Sequence, residues 1–348
     1  MAFFERFLLL IVLVLTLGAG LFLASNVPQY SLFTALEPLP GPADILSDND
    51  TSIVSPFSKI IAQLSMVPGM RKEMPLIAVV IENHEDARPH QQGLEEALLI
   101  EEHIVEGLIS RFVVFFDSRS LPKIFGPVRS LRSYFIDGFL PLTNVIIHAG
   151  GSPDALDRVD KNIDINAING LYYDNNGDHD AFIRIDGIAP PHDLFTGAEY
   201  LKELLPKWIE PLKWPPYETG KAQSASGATT IKINFFNPLH NVQYKYLSGA
   251  KRYERTNGGI VSEARPRNVL VIEVPVNGEK EYGRLDIEMN GEGKLLLFQS
   301  GKVIKGTWKK EASRDMYVFE TLEGKPLQFA SGQTWMTVVP SILRVDWE

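Results

Sequence analysis

The sequence predicts an α/β body, its sheet largely parallel or mixed with flanking helices, plus a smaller β-rich C-terminal domain. Three observations carry this reading. Short apolar runs of strand length alternate with helical patterns between Leu76 and Trp214. After Ala228 the runs become short and alternate apolar with polar residues. Turn signals such as Asn257-Gly258-Gly259, Asn277-Gly278 and Asn290-Gly291 separate many of them, as antiparallel hairpins require.

Residues 1–25 come first. Phe7 to Ala24 carries no charge and at ~1.5 Å per residue would span about 27 Å, enough for a hydrocarbon core. Arg6 precedes it and no further Lys or Arg occurs before Lys59, which orients the body to the outer side of the membrane. The rival reading is a cleaved signal peptide, but Phe22-Leu23-Ala24 is a poor small-x-small site. Residues 26–75, rich in Pro, Ser and Asp, suit an extended tether. In 76–216, Ile77 to Ile81, Phe112 to Phe116 and Asn144 to Ile147 read as buried strands. Arg129 to Leu140, Pro153 to Val159 and Ala198 to Leu205 read as helices. Thr219 to Ala228 reads as a linker, and 229–348 as the β-rich domain.

Composition excludes several classes. The net charge of -9 argues against nucleic acid as a partner. Without cysteine there is no disulfide, thiolate site, cysteine nucleophile or acylated cysteine. No Walker loop, dinucleotide fingerprint or Gly-x-Ser-x-Gly elbow occurs, so no cofactor is expected. His84, His148 and His192 follow no metal-ligand spacing, and no metal is expected either. Protein partners are not legible.

Ligands of open sheets bind beyond the carboxyl ends of strands, and here those ends are polar: Glu82-Asn83-His84, Asp117-Ser118-Arg119 and His148-Ala-Gly-Gly-Ser152. Ser152 reads as a helix N-cap with Pro153 at the first helical position, and Gly150 and Gly151 would let backbone approach an anion. Arg129 and Arg132, three apart, would share a helix face and with Arg111 form a basic pocket. Two function classes follow. In the first, the body binds an anionic envelope component, a glycan or glycopolymer phosphate. Its residues would be Asn83, Arg111, Arg129, Ser130, Arg132, Gly150, Gly151, Ser152 and His192. In the second it hydrolyses an envelope glycan or phosphodiester with Glu82 or Glu106 as acid or base beside His148. Structural ion pairs between these acids and arginines are the bland alternative.

The ordered motifs Ile81-Glu-Asn-His84 with Ala87-Arg-Pro89, Val105-Glu-Gly107, Gly126-Pro-Val-Arg-Ser130, His148-Ala-Gly-Gly-Ser152, Pro191-His192, Gly306-Thr-Trp-Lys-Lys310 and Gly332-Gln-Thr-Trp335 resemble the YerB-like family. Its members are regarded as lipoproteins of unknown function. The resemblance runs from Leu76 to Pro340 and implies an extracytoplasmic α/β region followed by a β-rich one; it supplies no reaction. This chain departs by lacking the acylated cysteine. It also has Leu108 where a second glycine is expected, Ser110 for threonine, Leu131 and Ser133 for alanine and proline, and Asp193 and Phe195 for asparagine and tyrosine.

Overall fold

A computed structural model describes residues 72–173, 181–220, 226–279 and 283–348. The Phe7 to Ala24 segment and nearly all of the tether lie outside the described residues. Among the described residues, no helix is long and apolar enough to cross a membrane.

Ten strands form the path of one large mixed sheet: β1 (Lys72–Glu82), β2 (Leu99–Ile104), β3 (Ser110–Asp117), β4 (Val145–His148), β5 (Asn166–Asn169), β6 (Asn268–Glu273), β7 (Gly291–Gln299), β8 (Lys302–Lys310), β9 (Val318–Thr321) and β10 (Thr334–Val339). Their order is β9-β8-β7-β6-β10-β2-β3-β1-β4-β5. β10 joins the two halves, running parallel to both β2 and β6. Strands from both halves therefore share one sheet. The expected linker takes part as well: Ser226–Gly227 pairs with β8, and Thr219 bridges to Phe329.

The apolar runs are strands because both faces of the sheet centre are covered. Leu76 to Ile81 and Phe112 to Phe116 are completely buried, each large side chain contributing about 1.5–3 kcal/mol. β1 starts at Lys72, inside the expected tether, because Lys72 to Pro75 pairs with Pro211–Trp214. The sheet is mixed because β2 and β3 form a hairpin closed by the Val105 N–H on Ile109 O at 2.8 Å, and a tight turn can join only antiparallel strands. β1 is in turn antiparallel to β3 and parallel to β4.

Two helices position the site, α1 (Ser133–Phe139) and α2 (Pro153–Lys161). A second, five-stranded antiparallel sheet has Arg252–Asn257, Val242–Leu247 and Thr230–Ile233 at its centre.

Two expectations are corrected here. Gly126 to Arg132 is extended, so the helix expected from Arg129 begins only at Ser133. Its backbone is claimed by neighbours: Val128 N–H donates to Leu194 O at 2.7 Å, Arg129 N–H to Val80 O at 2.9 Å and Leu131 N–H to Gly150 O at 3.0 Å. Asp117-Ser118-Arg119 does not join the other polar strand ends. β3 is reversed, so Asp117 sits opposite Leu76 in the middle of β1, away from Glu82 at its end.

Candidate functional site

The site arises where β1 and β4 part. They pair only through Ala78 and Val79. Beyond that point the extended arginine segment fills the gap, Val128 bridging Ile81 and Leu131 bridging Gly151. Arg129 is gripped from both sides, its N–H on Val80 O and its carbonyl accepting from Ala149 N–H at 3.0 Å.

This brings the charges together. Glu82 and Arg111 are cross-strand partners in the β1–β3 register, so their side chains share a face. The Glu82 carboxylate is 1% exposed. It accepts from Arg129 Nε and lies 3.7 Å from both Arg111 NH2 and His192 Nδ1. Arg132 holds Glu106 with two parallel hydrogen bonds, 2.7 and 2.8 Å long, the strong fork geometry. Arg111 donates to Ser130 O at 3.0 Å. Burial pushes its pKa down, against the pull of Glu82, and it also feels Arg132, Arg129 and Glu106. Burial acts to raise the Glu106 pKa, but the hydrogen bonds and charge of Arg132 hold it below the ordinary carboxylate range. Of the candidates named from the sequence, Glu82, Glu106, Arg111, Arg129, Arg132 and His192 therefore lie in one charged network.

His148 is at the adjacent turn. It is 1% exposed and donates from Nδ1 to Gly150 O at 2.8 Å. Burial lowers its pKa against that bond, so the ring is neutral at pH 7. The glycine turn is less open than its sequence suggests. Gly150, at φ +66°, gives its N–H to Asn169 Oδ1, and Ser152 gives its N–H to Leu131 O. Gly151 packs closely: a Cβ there would crowd Leu131 O at 3.2 Å. Ser152 occupies the N-cap position of α2 and Pro153 the first turn, yet the Ser152 hydroxyl makes no capping bond.

Asn83, one residue beyond Glu82, serves another network. It donates to Ser110 Oγ at 2.7 Å and Asn257 Oδ1 at 2.8 Å, and accepts from Arg88 Nε at 3.3 Å. Ser110 donates to Glu102 at 2.7 Å. The same completely buried carboxylate accepts from Arg255 NH2 at 2.6 Å and Trp335 Nε1 at 2.8 Å. The Arg255 guanidinium lies 4.3 Å from the centroid of the Trp335 ring. These polar groups lock the two halves of the chain together. Sequence reasoning gave no role to Arg88, Ser110, Arg255 or Asn257. Arg88 and Trp335 stood inside quoted motifs and Asn257 in a turn signal, but Arg255 carried no signal.

A family model described as "Protein of unknown function (DUF3048) N-terminal domain" matches residues 64–208, and the corresponding C-terminal domain matches 231–336. "Putative lipoprotein YerB" of Bacillus subtilis (strain 168) is 32% identical over 279 residues, 76% of this chain and 81% of the relative. The crystal structure of the Bacillus subtilis YerB protein superposes with a TM-score of 0.70 at 30% identity, covering 79% of this chain and 94% of that one.

Proposed function

The chain belongs to the DUF3048 family, and we propose that its α/β half binds an anionic component of the cell envelope, a glycan or glycopolymer phosphate. The observation that carries this reading is the charge balance of the cluster. Three guanidiniums, Arg111, Arg129 and Arg132, face two carboxylates, Glu82 and Glu106. Arg129 is the most open of the three, its side chain 27% exposed. It uses Nε on Glu82, leaving its terminal nitrogens for a ligand. An arginine fork of this kind suits phosphate or carboxylate.

The hydrolase reading has weaker support. Glu82 is buried behind Arg129, out of reach of a substrate proton. Glu106, held ionised by Arg132, cannot donate a proton near neutral pH. The name of the Bacillus subtilis relative supports membrane attachment. Without a cysteine to acylate, this chain would be held by Phe7 to Ala24, its body on the outer side.

The test uses the full chain in detergent with phosphate-bearing envelope glycopolymer and the same polymer after dephosphorylation. The phosphorylated form should bind more tightly and lose affinity with added salt. Arg129→Ala should weaken binding by about 10–100-fold, the scale of a charge-assisted hydrogen bond of ~1.5–3 kcal/mol. Equal binding of the two polymers, or an unaffected variant, would overturn the proposal.

A further inference from the structure

We infer that His84, Asp86 and His192 form a binding site for a divalent transition-metal ion of the zinc type, adjoining the arginine cluster and sharing His192 with it. One ligand atom from each of the three lies within 4.8 Å of the others. His84 and Asp86 come from the turn after β1. His192 arrives from more than a hundred residues away, and its ring stacks on that of His84 with centroids 5.0 Å apart and planes 16° apart. Two imidazoles and a carboxylate are an ordinary ligand set for zinc and its neighbours.

The surroundings point the same way. His84 Nδ1 lies 3.5 Å from Asp86 Oδ2, close to the ~3.3 Å that separates two ligands about 2.0 Å from a tetrahedral metal. The other His84 nitrogen, Nε2, lies 3.5 Å from Glu85 Oε2. On His192, Nδ1 faces Glu82 Oε2 at 3.7 Å and makes no hydrogen bond, which leaves Nε2 as the proposed ligand atom. Metal-bound histidines characteristically have a carboxylate at the nitrogen that does not bind the metal, fixing the tautomer and ring orientation. Glu85 and Glu82 are placed for that task. Binding would replace the weak 3.3 Å contact from Asp86 N–H to His84 Nδ1. Asp86 is 73% exposed, so the ion could enter from solvent and would keep an open coordination position. The reading from spacing alone grouped His84 and His192 with His148 rather than with Asp86. His148 is not among the three gathered residues.

The test uses the untagged full chain in detergent, stripped with a chelator and titrated with Zn²⁺ and with Co²⁺. One ion should bind per chain, and Co²⁺ should give the visible absorption of a nitrogen- and oxygen-ligated site. His192→Ala and Asp86→Asn should each weaken binding by at least ~10-fold, and Glu85→Gln, which removes only an orienting group, by about 10–100-fold. Asp86→Asn is so exposed that it should melt like the parent, which separates lost ligation from lost folding. The inference is overturned if no stoichiometric ion binds, or if the double variant His84→Ala/His192→Ala binds as tightly as the parent.

Discussion

Arg129 both pairs with a buried carboxylate and faces solvent, so its removal should cost stability even without a ligand. In Arg129→Ala, Glu82 loses the hydrogen bond from Nε and keeps only Arg111 at 3.7 Å and His192 at 3.7 Å. A hydrogen bond to a charged group contributes ~1.5–3 kcal/mol, and stripping a buried ion of its partner costs ~3–5 kcal/mol. Arg111 remains and Arg129 is partly exposed, so the expected loss is near the lower figure, about 2 kcal/mol. At roughly 2–4 °C per kcal/mol that is a fall of ~4–8 °C in melting temperature. Glu82→Gln should cost more, ~3–5 kcal/mol, because the fully buried Arg111 then loses its counter-charge. Urea unfolding of both single variants and the double variant gives the coupling directly. Single variants within ~0.5 kcal/mol of the parent, as for ordinary surface substitutions, would refute the buried ion pair.

Leu108 sits at φ +59° in the β2–β3 turn, directly after Gly107 at +70°. Leu108→Gly should raise stability by about 0.5–1 kcal/mol, relief of the left-handed cost of a side chain less the entropy glycine loses, read as a shift in urea midpoint. His148 and His240 both have pKa values lowered, mainly by burial, and for His240 also by Arg88. The unfolded chain takes up their protons near pH 6.5 and the folded chain only below it. Their contribution is therefore full above ~pH 6.5 and lost as pH falls, at up to ~1.4 kcal/mol per pH unit for each histidine, and His148→Asn should flatten the melting-temperature profile between pH 7 and 5. Glu106, with its pKa held down, contributes stability above the unfolded value of ~4.3 that is lost on acidification through the lower folded value. Glu106→Gln should thus be less stable at pH 7 but show a shallower acid limb, and parallel acid limbs would remove Arg132 as its partner.

How much of this was legible depends on the distance over which each feature is specified. The strands were legible because burial on both faces demands unbroken apolar runs, and β1, β3 and β4 lie where those runs are. Their directions were not, since nothing in Phe112 to Phe116 says which way β3 points. That direction decides whether Asp117 or Arg111 meets Glu82, and it is set by the turn at Val105 to Ile109. Arg129 to Arg132 has ordinary helix formers, and local preference favoured a helix; backbone partners on Val80, Ala149 and Gly150, remote in sequence, outweighed it. Glu82 was legible as a strand-end residue, but Arg129 reaches it from an extended segment rather than from the helix face expected for it. The network around Glu102 was not legible: Arg255 stands 153 residues away on another sheet, with no local pattern to mark it. Glu82 and Asn83 show both cases in adjacent residues. One turns toward the arginines of its own half, readable from neighbouring motifs. The other turns to Ser110 and Asn257, toward a partner that only the folded chain reveals.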